Sequence, residues 1–225
     1  MKIAINLVGV SYTELGRTRK YTDSYDSFIE HIVNPLKEQG HDISFYLSTY
    51  DSDKRDEIIE TYNPVKSTFL DRNFALLGGG DVVDVEGKPM LIMVYTYLNS
   101  LLQIKEDNPD IDIIISTRFD MMWKLNPFEN FNFDFNKFNF LFRDHIYTEN
   151  PLACDAFYVF PYNMIDNLIS AIVELNDNPY NGVKIGLLNL HHPLKKLIGN
   201  ENINIVCDEF LRSDYNPIYD LKRKE

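Results

Sequence analysis

An α/β fold with a mostly parallel central sheet flanked by helices is what this sequence predicts, and three observations predict it. Apolar runs at Lys2–Val10 and Ile111–Ile115 are nearly continuous, the pattern of strands buried on both faces. Between them lie amphipathic stretches at helical spacing, the clearest being Met90–Lys105. Strand and helix patterns alternate through residues 1–120, as they do in βαβ units.

Lys2–Val10 is the first strand, followed by a polar loop through Gly16 and Arg17. A helix over Thr22–Gln39 comes next, its apolar stripe formed by Tyr25, Phe28, Ile29, Ile32, Val33 and Leu36. Gly40 is placed to cap it, and Pro35 to kink or shorten its last turn. Asp42–Ser48 reads as a second strand ending in Thr49-Tyr50-Asp51, which closes a βαβ unit with a right-handed crossover. A short helix near Lys54–Tyr62 and a weak strand at Val65–Leu70 follow. Leu77–Lys88 reads as a loop or lid; its Gly78-Gly79-Gly80 lacks the Lys-Ser/Thr that a P-loop needs. In Met90–Lys105 the stripe is Leu91, Val94, Tyr95, Leu98, Leu101 and Leu102, and Asn108-Pro109-Asp110 ends the helix. Ile111–Ile115 then runs as the third strong strand into Ser116-Thr117-Arg118-Phe119-Asp120.

The second half is rich in aromatic residues and Asn. It predicts a loop from Phe128 into a strand at Phe138–Arg143, and a strand at Ala156–Phe160. Helices are expected near Asn163–Leu175 and Val183–Ile198, with a short last strand at Ile203–Val206. No repeat and no Pro/Ser-rich linker divides the chain, so a single domain over residues 1–225 is expected.

Composition narrows the function. With 22 Lys and Arg against 34 Asp and Glu, the net charge is −12, which argues against a nucleic-acid partner. The basic run Lys222–Lys224 reads as a solvated tail. Cys154 and Cys207 show no metal-ligand spacing, which fits reduced thiols in a cytoplasmic protein. No signal peptide and no apolar stretch of about 18 residues is present, so no transmembrane segment is expected.

In an open parallel sheet, ligands sit outside the carboxyl ends of the strands. Those ends deliver Gly9 to Arg19, then Thr49, Tyr50 and Asp51, then Arg118, Phe119 and Asp120. Arg17, Arg19 and Arg118 supply donors for phosphate oxygens, and Asp120 a hard carboxylate for a divalent cation. In an extended segment Arg118 and Asp120 face the same way while Phe119 faces the core; a structural ion pair accounts for the same pattern.

Ile114-Ile115-Ser116-Thr117-Arg118-Phe119-Asp120 resembles the R-x-D element of glycosyltransferase-like proteins of bacteria and large DNA viruses that have the GT-A fold. It stands where the usual D-x-D lies. Gly16-Arg17-Thr18-Arg19 after the first strand, Ser48-Thr49-Tyr50-Asp51 after the second, and Asp155-Ala156-Phe157 before a later strand fit the same pattern. The resemblance covers about 160 residues. It implies a nucleotide-binding half over 1–120, an acceptor-side half over 121–225, and transfer of a sugar from a UDP- or GDP-linked donor to a glycan hydroxyl. It implies Mn²⁺ or Mg²⁺ held by Asp120, with His191 or His192 as a further ligand. Gly9, Arg17, Arg19, Thr49 and Asp51 would hold the nucleotide. Arg118, where the family's first Asp usually stands, would bind ribose or phosphate itself. Asp155 is the candidate general base, with Asp144 and His145 as rivals. Trp123 and Tyr147 are candidate sugar platforms, although most aromatic residues serve a core. A sugar-phosphate nucleotidyltransferase and a non-catalytic carbohydrate- or protein-binding relative are the alternatives; the first lacks its glycine-dense loop at Val8–Tyr12.

Overall fold

The computed structural model describes residues 1–14, 18–71, 73, 82–85, 88–107, 110–144, 152–177, 187, 190–212 and 215–222. In chain order the strands are β1 (Lys2–Val8), β2 (Tyr12–Thr13), β3 (Arg19–Lys20), β4 (Asp42–Tyr50), β5 (Lys66–Leu70), β6 (Val82–Val85) and β7 (Lys88–Leu91). They continue with β8 (Ile113–Arg118), β9 (Met121–Trp123), β10 (Phe138–Asp144), β11 (Leu152–Ala153), β12 (Phe157–Pro161), β13 (Ile203–Leu211) and β14 (Tyr219–Leu221). The helices are α1 (Thr22–Phe28), α2 (Asn34–Glu38), α3 (Arg55–Tyr62), α4 (Ile92–Asp107), α5 (Pro127–Asn130), α6 (Ile165–Asp177) and α7 (His191–Ile198).

The central sheet runs β11-β10-β12-β8-β1-β4-β5, with β13 added to β10. The strands from β5 to β8 are mutually parallel; β12 then runs antiparallel to β8, and β10 antiparallel to β12. The chain builds outward from β1 to β4 and β5, then crosses back to place β8 on the other side of β1. That reversal makes the gap beyond the carboxyl ends of β1 and β8 the sheet's switch point.

Alternation within β1 explains its continuous apolar run. Ile3, Ile5 and Leu7 face a cluster with Phe28, Ile32, Val33 and Leu36, while Ala4 and Val8 face a second cluster with Val94, Tyr97, Leu101 and Ile104. The one polar interruption, Asn6, is fully buried and satisfied: its amide donates to Ser116 Oγ at 3.0 Å and accepts from the Ser100 hydroxyl. The long first helix is realised as α1 and α2 joined through a π-helical turn at Ile29–Val33. Pro35 has no N–H to donate and its ring crowds the carbonyl four residues back, and the widened turn directly before it removes that clash. Gly40, at φ +79°, ends the segment in the left-handed region.

Elsewhere the structure redraws the expected boundaries. Part of Leu77–Lys88 is not loop: β6 pairs with β7 as a hairpin in which Val82 opposes Leu91, so α4 begins at Ile92 rather than Met90. The triple glycine lies outside the described residues. β13 extends to Leu211, well past Val206, because it pairs in parallel along the whole of β10, to Asp144 opposite Leu211; its exposed Asp208 and Glu209 keep the outer edge charged. The expected helix at Val183–Ile198 is described only as α7. β14 stands where only a tail was expected, pairing antiparallel with β9.

Candidate functional site

The register of the central strands sets the site. Val8, the last residue of β1, pairs with Arg118, the last residue of β8. Beyond them the two strands part. Gly9 takes φ +91° there, and its N–H donates to Ser48 O at 3.2 Å. That left-handed turn is why glycine suits the position. The loop then doubles back as a small hairpin, β2 on β3, with Thr13 opposite Arg19. The sequence showed a plain loop here; the hairpin returns Arg19 to the switch point.

Arg118, Asp120 and Arg19 meet at that point. Arg118 Nε and Nη2 donate to the two carboxylate oxygens of Asp120, each at 2.8 Å, and Arg19 Nε lies 3.8 Å from Oδ2. Asp120 is only 4% exposed. Phe119 takes the opposite direction, its ring edge-on to Tyr62 in the core and its carbonyl accepting from the Ser24 hydroxyl at the start of α1. Phe119 does face the core as expected, but β8 ends at Arg118 and Phe119 and Asp120 form a turn, so the pair closes across a turn and not along an extended segment. Burial opposes the charge on Arg118, but the carboxylates of Asp120 and then Asp155 outweigh it and hold its pKa above the usual range.

Asp155, just ahead of β12, is close enough to act on Arg118, Tyr97, Tyr158, Cys154 and Tyr219. Of the residues expected at the site, Asp155 thus acts electrostatically on Arg118, which in turn holds Asp120. Beneath them is a buried layer. Tyr97, Tyr158 and Tyr219 are held well above the ordinary phenol range, by burial first. Burial and then the charge of Asp155 push the Cys154 thiol up to about 12. Its sulfur lies 3.4 Å from the Tyr219 hydroxyl. Tyr50, at the end of β4, forms a side wall: both Arg19 and Arg118 act on its hydroxyl, which lies 3.4 Å from Thr96 Oγ1.

Other expected residues do different work. Thr49 is fully buried, and its hydroxyl accepts from the Ser11 N–H at 3.0 Å and donates to Ser11 Oγ at 2.7 Å, fixing the loop after β1. Asp51 is half-exposed and lies 3.9 Å from Arg55, one helical turn away. His191 and His192 stack on each other at 3.8 Å on α7, with His191 edge-on to Phe140 in the cluster on the α4 side of the sheet. Asp144 is fully buried at the end of β10. Trp123 is core, packed on Phe157 and Tyr219. Arg17, His145 and Tyr147 lie outside the described residues.

Sequence reasoning missed the carboxyl-terminal contribution. Asn216 Oδ1 accepts from the N–H groups of Ile218 and Tyr219, which sets up β14. The Lys222 N–H then donates to Asp120 O at 2.8 Å. Lys124 Nζ bonds Asp220 at 2.6 Å and Asn216 O at 2.8 Å, which ties this strand to β9. The Asx-type spacing of Asn216 before Ile218 was the available signal.

A divalent ion needs oxygen ligands that are free to turn toward it. Both oxygens of Asp120 already accept from Arg118, with Arg19 alongside. Unit charges about 4 Å apart interact by roughly 4 kcal/mol at the effective dielectric of a protein interior, so a second cation at this carboxylate meets strong repulsion. Among the described residues, no group of three or more His, Cys, Asp and Glu is arranged to hold a metal. As arranged, this donor set does not fit Mn²⁺ or Mg²⁺.

No protein-family model matches the chain, and no curated protein sequence matches it. Solved structures align with it at low identity. A glycosyltransferase involved in the glycosylation of the major capsid of PBCV-1 is 9% identical, with a TM-score of 0.48 over 92% of this chain and 81% of that one. The galactosyltransferase LgtC, in complex with donor and acceptor sugar analogs, is 11% identical, with a TM-score of 0.49 over 91% of this chain and 73% of that one. An active-site mutant of LgtC gives 12% identity and 0.49, over 91% and 72%. Among the described residues, no helix is long and apolar enough to cross a membrane.

Proposed function

We propose that this chain is a glycosyltransferase that transfers a sugar from a UDP- or GDP-linked donor to a glycan hydroxyl. One observation carries the reading: a buried Arg118–Asp120 pair, with Arg19 beside it and Asp155 acting on it, at the switch point of a parallel sheet. Guanidinium groups suit the diphosphate of such a donor, because their planar forks match phosphate oxygens. The left-handed turn at Gly9 carries no side chain, so a nucleotide can approach the backbone there. Asp155, partly exposed beside the cationic pair, is the residue to take the proton from the acceptor hydroxyl.

The test is nucleotide release from UDP- and GDP-sugars, measured alongside nucleotide affinity. With Asp155→Asn, turnover should drop by about 100-fold or more while nucleotide affinity holds, the signature of a lost base. A folded wild-type chain that binds no nucleotide would reject the transferase reading in favour of a binding module for another ligand.

A further inference from the structure

We infer that the site binds the diphosphate of its donor without a divalent ion, through Arg118 and Arg19, and that Asp120 is a positioning residue rather than a metal ligand. The inference rests on the transferase reading for the identity of the ligand, but its own support is the donor geometry. The bidentate pair engages the Nε–Nη2 edge of Arg118 and leaves its other N–H donors available. Asp120 thereby fixes the plane of that guanidinium, and at 3.8 Å it holds the Arg19 fork near the same place. With only 4% of Asp120 exposed, the carboxylate sits behind the arginines, which are 17% and 22% exposed. A ligand arriving from solvent meets guanidinium groups first. The carboxylate's role is to orient them and to neutralise part of their charge before the ligand comes.

A metal and an arginine pair serve one electrostatic purpose, spreading the charge that develops on a leaving diphosphate, and they compete for the same space. Arg118 already occupies both oxygens of the one carboxylate there. The buried pair makes the exchange costly, because an ion on Asp120 would displace Arg118 and leave its charge facing another cation.

The experiment uses the purified chain stripped with EDTA. Calorimetric titration with UDP, GDP and inorganic pyrophosphate in EDTA is paired with the free Mn²⁺ electron paramagnetic resonance signal in the presence of protein alone. The expected result is diphosphate binding in EDTA and a Mn²⁺ signal that the protein leaves unchanged. Arg118→Lys, which keeps the charge but not the fork, should weaken binding about tenfold. Asp120→Asn keeps one acceptor for Arg118 and should cost only a few-fold, with circular dichroism confirming the fold. Binding that appears only with Mn²⁺, or a Mn²⁺ signal quenched by wild type and restored by Asp120→Asn, overturns the inference and leaves the transferase reading standing. Pyrophosphate binding in EDTA without nucleotide release from any sugar donor keeps the arginine site and removes the transferase reading. No diphosphate binding under either condition overturns both.

Discussion

Two parallel strands of the same sheet, β8 and β4, each lead into an aspartate, and the two aspartates have different fates. Asp120, beyond β8, is 4% exposed and gripped by Arg118, with Arg19 close by. Asp51, beyond β4, is half-exposed and only loosely paired with Arg55 at 3.9 Å. The strands are alike; the surroundings are not. β8 ends at the switch point, under the β2–β3 hairpin and against the β9–β14 pair, whereas β4 ends where β5 and α3 leave its carboxylate in solvent. A carboxylate after an apolar strand is thus a site only where other segments converge on it.

The largest expected effect tests that contrast directly. Asp120→Ala leaves two guanidiniums without their counter-charge and should destabilise the fold by about 3–5 kcal/mol in urea unfolding. A loss below about 1 kcal/mol would mean the pair is solvated and the contrast is empty.

A second effect comes from the buried layer below Arg118. The Cys154 thiol is held up to about 12, against an ordinary value of 9.0, so the native state keeps its proton while the unfolded chain gives it up. The sign follows: this contribution is fully present below about pH 9 and is lost as pH rises through about 12. Unfolding midpoints should therefore fall over that window, and Cys154→Ala should flatten the fall. An unchanged slope in that variant would remove Cys154 as the cause. The smallest effect is at the other strand: Asp51→Ala should change stability by no more than about 0.5 kcal/mol. A larger loss would give Asp51 a structural role that its exposure does not suggest.

Much of this was legible in the sequence because strand and helix periods are local. β1, β8 and β12 were readable as apolar runs, whereas the turn at Phe119 and Asp120, which closes the pair with Arg118, was not. Arg19 was named from the loop after the first strand and Asp155 as the residue heading a later one; Arg19 lies beside Asp120, and Asp155 acts on Arg118. What stayed hidden depends on distant partners. Nothing local to Thr49 shows that Ser11 takes up its hydroxyl, and nothing local to Tyr219 shows that it lies under Asp155. β14 is three residues long, too short for any period to reveal. The metal expected at Asp120 came from the resemblance alone; the structural ion pair with Arg118, which the same residues also allowed, is the arrangement found.

The hydrogen bond from the Lys222 N–H to Asp120 O also bears on how this protein is made. Synthesis runs from the amino end, so Arg118 and Asp120 emerge from the ribosome long before Tyr219–Lys222 can cover them. Until then β9 lacks its partner strand, and Trp123 and Phe142 lack the Tyr219 ring that packs on them. A nascent chain halted before β14 would carry its two arginines and an incomplete wall behind them. Completion of this wall is therefore timed by the arrival of β14, and a chaperone that recognises bare aromatic surface would have this interval in which to act.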